Sequence, residues 1–361
     1  MQSTVWPARA GRLARWGLPV LLAMSACNPD SQNPVSPTDA AVSAEASRLG
    51  CSGHERDCRS AANGRIAYSR WVDNTGMAIF SAKADGSDVL QLTTPQLGVF
   101  GDVAPDWSPN GSTLLFERDF AGLSQQLYRV NADGGGLTQL FDCAGRCLGV
   151  SDPVYSPDGK TIAFDEANGD DSYVSVGIWF MNPDGSNQRQ ITNRRFPSTS
   201  EDHMATFSPD GRQMAFTRSY YNAQPAAKQA VFVCNVDGSD LRRITPWQLN
   251  GGAADWSPDG RTILFSAHYD IGQDGTEQLF TVRPDGSGVR QLTPIGLAEP
   301  SNIEGKFSPD GRKIIFTHRA PNPTDPIPFS LTYTMNADGS NVVLVAFADD
   351  WYQQPAWGTH P

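Results

Sequence analysis

Past residue 23 the chain has no apolar run approaching the ~20 residues that a membrane-spanning helix requires. Even its one apolar stretch, Trp16 to Ala23, is too short for that purpose. Basic residues are scarce: 28 Lys and Arg stand against 39 Asp and Glu, for a net charge of −11. Such a balance argues against DNA, RNA and anionic lipid headgroups as ligands, and it keeps a β-rich chain soluble. Only six cysteines and five histidines are present, and no Gly-x-Ser-x-Gly nucleophile elbow occurs. A dense disulfide framework and a hydrolase of that kind are thereby disfavoured.

What the chain has is repetition. Trp256-Ser-Pro-Asp-Gly-Arg-Thr-Ile-Leu-Phe265 reads as a strand ending in an aromatic, a tight turn, and a second strand ending in an aromatic. The pattern recurs at Trp107 to Phe116, Tyr155 to Phe164, Phe207 to Phe216 and Phe307 to Phe316. Asn63-Gly-Arg-Ile-Ala-Tyr68 is a truncated first copy. The second aromatics (Tyr68, Phe116, Phe164, Phe216, Phe265 and Phe316) step by 48, 48, 52, 49 and 51 residues.

Asp-Gly recurs once per repeat, at Asp85, Asp133, Asp184, Asp237, Asp285 and Asp338, and an aromatic precedes each by five residues. Short segments ending in Leu-Thr or Ile-Thr follow. Asp-Gly supplies the positive φ that hairpin turns need, so each repeat reads as four strands. Six such units predict an all-β, six-bladed β-propeller. Gln354-Pro-Ala-Trp357 matches a leading strand, so the C-terminal strand is expected to complete the first blade.

These motifs resemble the TolB-type propellers built from WD40-like Ser-Pro-Asp-Gly repeats, over Asn63 to Trp357. The α/β domain that TolB carries ahead of its propeller is not expected here. The resemblance implies an envelope protein or peptide as partner, a peptidoglycan-associated lipoprotein among the candidates. Propellers of this kind also serve in peptidases and lyases, so the fold alone does not fix the function.

Residues 1–26 read as an export signal, with Arg9, Arg12 and Arg15 ahead of the short apolar core. Ser25-Ala26-Cys27 resembles a bacterial lipoprotein signal, which implies lipid on the Cys27 thiol and cleavage before it. Asn28 resembles outer-membrane sorting. An ordinary secretory signal with an incidental Cys is the alternative. Removing three arginines would leave 25 basic against 39 acidic residues. Residues 27–62, rich in Pro, Ser and Ala, read as a tether, with a short helix over Asp39 to Leu49 as a second reading. The propeller is assigned residues 63–361.

Cys234 falls in a core column with Val130, Met181 and Val282 and reads as a buried hydrophobe. Cys51 with Cys58, and Cys143 with Cys147, are spaced for local disulfides, with a metal site as the alternative for the second pair.

The length variation falls between second and third strands: Trp71 to Gly76, Asp165 to Val176, Ser219 to Ala230, Tyr269 to Glu277 and Arg319 to Phe329. These lie on the face opposite the Ser-Pro-Asp-Gly turns, the candidate binding surface. Two polar sets point to it: Arg70, Arg118, Glu166, Arg218, His268 and His318, and Asp102, Asp152, Asp202, His203, Asn302, Glu304, Asp349 and Asp350. Either Arg and Asp pair across strands as exposed pins, or a polar funnel receives a peptide or sugar. Trp71, Phe120, Tyr220, Tyr221, Trp247, Tyr269, Trp351 and Tyr352 would suit a protein or a carbohydrate partner.

The expected function is partner binding by a monomeric, lipid-anchored envelope propeller that performs no chemistry and holds no cofactor. The alternative is a lyase or hydrolase acting on a glycan in the channel, with His203, His268 and His318 around a metal ion.

Overall fold

The repeat motifs close on themselves through side chains. Ser156 Oγ donates to Asp158 Oδ1, Lys160 N–H donates to the same oxygen, and Thr161 N–H returns to Ser156 Oγ. Ser208 with Asp210, Ser257 with Asp259 and Ser308 with Asp310 repeat this pattern. Asn110 takes the acid's place after Ser108. In the second turn type the Asp carboxylate accepts from the Ser two residues on, as Asp184 does from the N–H and Oγ of Ser186. A turn built this way is specified within a few residues, so it fixes hairpin register before any long-range contact forms.

The computed structural model describes residues 63–72, 75–96, 98–120, 124–143, 145–170, 173–192, 200–220, 228–267, 277–293, 301–320, 329–348 and 354–359. Cys27, Cys51, Cys58, His268 and Trp351 therefore lie outside the described residues, as do the signal and the tether. The first repeat holds β1 (Asn63–Val72), β2 (Gly76–Ala82) and β3 (Leu90–Gln91). The second holds β4 (Val99–Trp107), β5 (Thr113–Phe120), β6 (Gln125–Asn131) and β7 (Thr138–Phe141). The third holds β8 (Gly149–Tyr155), β9 (Ile162–Asp170), β10 (Tyr173–Met181) and β11 (Arg189–Gln190). In the fourth are β12 (Ser200–Phe207), β13 (Gln213–Tyr220), β14 (Lys228–Asn235) and β15 (Arg242–Arg243). A 3-10 turn, Trp247–Leu249, leads to β16 (Gly252–Trp256), β17 (Ile263–Ala267), β18 (Gln278–Val282) and β19 (Arg290–Gln291). Last come β20 (Ser301–Phe307), β21 (Lys313–Ala320), β22 (Phe329–Asn336), β23 (Val343–Ala348) and β24 (Ala356–Thr359).

Within each of repeats two to six, the four strands pair antiparallel in sequence order. The first repeat has only three strands of its own, and β24 pairs antiparallel with β1, placing Trp357 opposite Ile66. Among the described residues, then, the structure is all β apart from one short 3-10 turn.

Burial follows the columns read from the sequence. Tyr68, Phe116, Phe164, Phe216, Phe265 and Phe316 are all buried. In five repeats the second-strand aromatic stacks on its third-strand partner, as Phe265 does on Phe280 at 5.7 Å. Cys234 is fully buried, and that burial pushes its thiol up to about 12.

Two further repeat features acquire a reason. The Thr of each Leu-Thr or Ile-Thr pair ends the outer strand by capping the third strand. Thr93, Thr192, Thr245 and Thr293 each accept, through Oγ1, the N–H of Ile79, Ile178, Val231 and Leu279. The Asp-Gly glycines do more than permit positive φ. Gly86, Gly134, Gly185, Gly238, Gly286 and Gly339 press on the carbonyl oxygens of Val345, Leu92, Leu140, Ile191, Ile244 and Leu292 respectively. Each partner belongs to the outer segment of the preceding repeat, or of the sixth in the case of Gly86. A Cβ there would meet backbone, so glycine is required by packing as well as by dihedral.

One expectation needs correction. Asp165 to Val176 is not a loop, because β9 and β10 continue pairing out to Asp170 and Tyr173. β13 likewise reaches Tyr220 opposite Lys228, and β21 reaches Ala320 opposite Phe329. Much of the extra length extends hairpins, where backbone groups are satisfied by the ladder instead of by water.

Candidate functional site

Each inner strand breaks step three residues before its aromatic. Ala104, Asp152, Met204, Ala253 and Glu304 have φ between 48° and 57°, and each sits at a register shift in its strand pair. Gln354, ahead of β24, is left-handed too. Left-handed residues other than Gly are unfavourable by ~1–2 kcal/mol, so something must hold them. At four of the six, the side chain just past the second-strand aromatic of the preceding repeat does so. Asp165 Oδ2 accepts Met204 N–H at 2.9 Å, Thr217 Oγ1 accepts Ala253 N–H at 3.0 Å, and Ser266 Oγ accepts Glu304 N–H at 3.0 Å. Glu117 reaches Asp152 N–H at 3.4 Å. These bulges re-aim the inner strands, and all six left-handed residues line one central cavity.

Asp106 and Lys306 also line this cavity. Asp106 Oδ2 accepts the N–H of Tyr155, and Asp255 Oδ2 accepts that of Phe307, both at 2.8 Å. Lys306 Nζ lies 3.4 Å from Asp255 Oδ1. Burial pushes the Asp106 carboxyl up to about 7 against the pull of Lys306, with nearby Asp255 adding to the rise. Burial raises Asp255 as well. Asp165, buried beside Asp152 and Asp202, is pushed well above the ordinary carboxylate range.

Above the cavity, towards the loop face, one arrangement recurs in alternate repeats. Arg118 donates from Nε and Nη2 to both oxygens of Asp102, at 2.6 and 2.8 Å, and lies over the Tyr128 ring at 4.6 Å. Arg218 does the same to Asp202 and covers Phe232 at 4.6 Å. In the sixth repeat His318 Nδ1 meets Asn302 Oδ1 at 2.7 Å, with its ring edge-on to Tyr333. Asn302 spends its amide N–H on Gln278, so His318 Nδ1 is the donor in that pair.

These pairs were expected at the surface, and there the structure corrects the sequence. Arg118 is 4% and Arg218 3% exposed, and Asp102 and Asp202 are fully buried. Aromatic rings lie against each guanidinium, Phe116 and Tyr128 for Arg118 and Phe216 and Phe232 for Arg218. Such pairs do not offer their charge to solvent. His203 is half-buried with Nε2 at 2.8 Å from Ser219 Oγ, and burial lowers its pKa to about 4 despite Asp202. Glu166 is buried and accepts from Asn168. The described residues include no set of three His, Cys, Asp or Glu side chains grouped as metal ligands. Cys143 and Cys147 are joined by a disulfide.

Solvent-facing groups gather elsewhere on the loop face. Arg70 is exposed, and beside it Trp71 (43% exposed) meets Phe100 (38%) edge-to-face at 6.0 Å. Trp247 packs against Tyr220 and lies under both Lys228 and Arg243, each at 4.9 Å. Phe100, Asp106, Asp255 and Lys306 were not singled out from the sequence. The residue before the first-strand aromatic could have pointed to the last three, but that column also holds Val154, Thr206 and Ala356 and shows no shared chemistry.

Residues 60–226 match the family model of the TolB beta propeller domain, and residues 174–324 match the Tricorn protease N-terminal beta propeller domain. The fold is a TolB-type β-propeller. Among curated relatives, dipeptidyl-peptidase 5 of Porphyromonas endodontalis is 31% identical over 114 residues, 31% of this chain and 15% of its own. A protein TolB homolog of Chlorobium luteolum is 29% identical over 135 residues, 37% of this chain and 26% of its own. This TolB-type chain thus matches about a quarter or less of those relatives' lengths. The crystal structure of TolB from Acinetobacter baumannii superposes with a TM-score of 0.60 at 19% identity, over 82% of this chain and 66% of that one.

Proposed function

We propose that residues 63–361 form a six-bladed ring closed by β24 on β1, carried on the tether of residues 27–62 and held at the cell envelope by lipid on Cys27. In this reading the loop face captures an envelope protein or peptide, and the propeller performs no chemistry. The TolB kinship supports an envelope role, with a peptidoglycan-associated lipoprotein as the first partner to test.

The observation that carries the reading is the Trp71–Phe100 pair beside Arg70. Two large aromatics held edge-to-face in solvent, next to a cation, are not required for folding, and aromatics with Arg are what protein interfaces concentrate. Asp152, His203 and Glu304 complete the proposed contact region, to which the sequence reading adds Trp351 and His268. Arg118, Asp202, Arg218 and His318 act behind it by fixing its shape, and Glu166 is assigned to the same frame.

The test is capture of the purified peptidoglycan-associated lipoprotein, and of crosslinked envelope proteins, by the mature chain. Arg70→Glu with Trp71→Ala should reduce capture at least tenfold with an unchanged melting temperature. Arg212→Glu with Arg312→Glu, exposed on the opposite turns, should leave capture as it was. Loss of capture only in the turn-side variant would assign the function to the wrong face.

A further inference from the structure

The fourth repeat departs from its neighbours at one position. Opposite the third-strand aromatic, the outer strand carries Gln91, Gln139, Gln190 and Gln291 in four of the other repeats, and Arg243 in the fourth. Gln91, Gln190 and Gln291 each donate from Nε2 to the carbonyl of the Thr two residues on, so they serve the end of their own strand. Arg243 instead has its guanidinium over the Trp247 ring at 4.9 Å, and Lys228 Nζ lies over the same ring at 4.9 Å. The fold does not ask for this exchange, because a glutamine meets the same need elsewhere.

The indole is held in place locally. Trp247 opens the 3-10 turn Trp247–Leu249, and left-handed Asn250 closes it. Asn250 fastens the turn to β14: its Oδ1 accepts the N–H of Gln229 at 2.7 Å, and its carbonyl accepts the Gln229 side-chain amide at 3.1 Å. Lys228 directly precedes Gln229, so these bonds set it beside the ring. Tyr220 at 5.4 Å and Phe232 at 5.9 Å pack around the indole as well. A surface arranged in advance loses little freedom when it binds.

The two charges are uncompensated. Arg218 and Arg242 of the same sheet pair with Asp202 and Asp240, whereas Lys228 and Arg243 have no carboxylate partner among the described residues. Each sits 4.9 Å from one ring centre, so they are at most twice that far apart, comparable to the ~8–10 Å Debye length, and they repel. An anion beside them relieves the repulsion and gains charge-assisted hydrogen bonds. The net charge of −11 repels long polyanions, which leaves a short acidic stretch. With Lys228, Arg243, Tyr220 and Phe232 around the indole, little of it is left for a sugar ring to stack on. Trp with Arg is what the hot spots of protein partners concentrate. We propose that Lys228 and Arg243, seated on Trp247, dock a short acidic peptide segment of a protein partner through its carboxylates. This site belongs to the fourth repeat and does not depend on the Trp71–Phe100 reading, which concerns the first and second.

The probe is a capped, dye-labelled peptide, Gly-Ser-Glu-Asp-Glu-Asp-Ser-Gly, titrated onto the purified protein by fluorescence anisotropy. The wild type should bind it, and affinity should fall at least tenfold when Gln and Asn replace its acids. Lys228→Ala with Arg243→Gln should cause the same loss with an unchanged melting curve, since Arg243→Gln installs the residue of the other repeats. Arg212→Gln with Arg312→Gln removes as much charge at exposed turns and should bind as the wild type does. No binding of the parent peptide, equal binding of its neutral form, equal binding by the Lys228, Arg243 variant, or an equal loss in the turn variant would each overturn the proposal. A uronic-acid tetrasaccharide of matched charge that binds more tightly than the peptide, and is lost in the same variant, would also overturn it by giving the site to a glycan. None of these outcomes bears on capture at Trp71.

Discussion

Gly86 lies against the carbonyl oxygen of Val345, near the opposite end of the chain, so closely that no side chain could be added between them. The five other Asp-Gly glycines make the same contact with the repeat before them. Gly86→Ala should therefore destabilise the fold by more than the ~1–2 kcal/mol expected from its positive φ alone. Gly98→Ala is the control, since Gly98 is also left-handed but has nothing within 4 Å of its missing Cβ. Urea midpoints for the two variants measure the difference, and equal losses would mean the seam contact contributes nothing.

A related prediction concerns the other seam. Deleting residues 353–361 removes β24 and uncovers the inner edge of β1, where Ile66 and Ala67 pair with Trp357 and Ala356. Loss of a single cooperative melting transition, with aggregation, is expected. An unchanged transition would show that the fold does not depend on this strand.

The buried ion pairs should behave unlike surface ones. Arg118→Ala leaves the Asp102 carboxylate buried without its partner and should cost about 3–5 kcal/mol. Arg118→Met combined with Asp102→Leu should cost much less, because no charge is stranded. Calorimetric melting of the two proteins distinguishes them, and a cost below ~1 kcal/mol for Arg118→Ala would place the pair in the surface class.

Stability should respond to pH with two opposing contributions. Asp106 is raised to about 7, so it favours the folded state at low pH, and this contribution is lost as pH rises from ~4 through 7. His203 is lowered to about 4, so its contribution is present above ~6.5 and lost as pH falls towards 4. Asp106→Asn removes only the first. Its stability relative to wild type should rise between pH 5 and pH 7.5, measured by urea unfolding at each. A difference that stays constant with pH would contradict the assignment.

Cys27→Ser tests the anchor. The wild type should fractionate with membranes and show lipid mass on a chain beginning at Cys27, and the variant should do neither.

Much of this fold was legible because its determinants are short. The turn around Ser156 and Asp158 spans a handful of residues, and the Phe265–Phe280 stack is one step of a pattern repeated along the chain. Depth was less legible. Arg118 and Asp102 alternate along their strands as an exposed pair would, yet both are buried, with Phe116 and Tyr128 against the guanidinium. The charged cavity residues were hidden for another reason: Asp106 and Lys306 come from distant repeats, and the matching positions of other repeats hold Val154 and Thr206, so only the assembled inner strands bring them together. The Thr stops could be seen as a motif, but not as hydrogen-bond caps.

Cys234, the free thiol among the described residues, is sealed within the fourth repeat and held in its protonated form. Alkylation there has to wait until that repeat opens. Quantified by mass spectrometry on the Cys234 peptide, the labelling rate becomes a native stopwatch for the breathing of one blade, with no introduced probe.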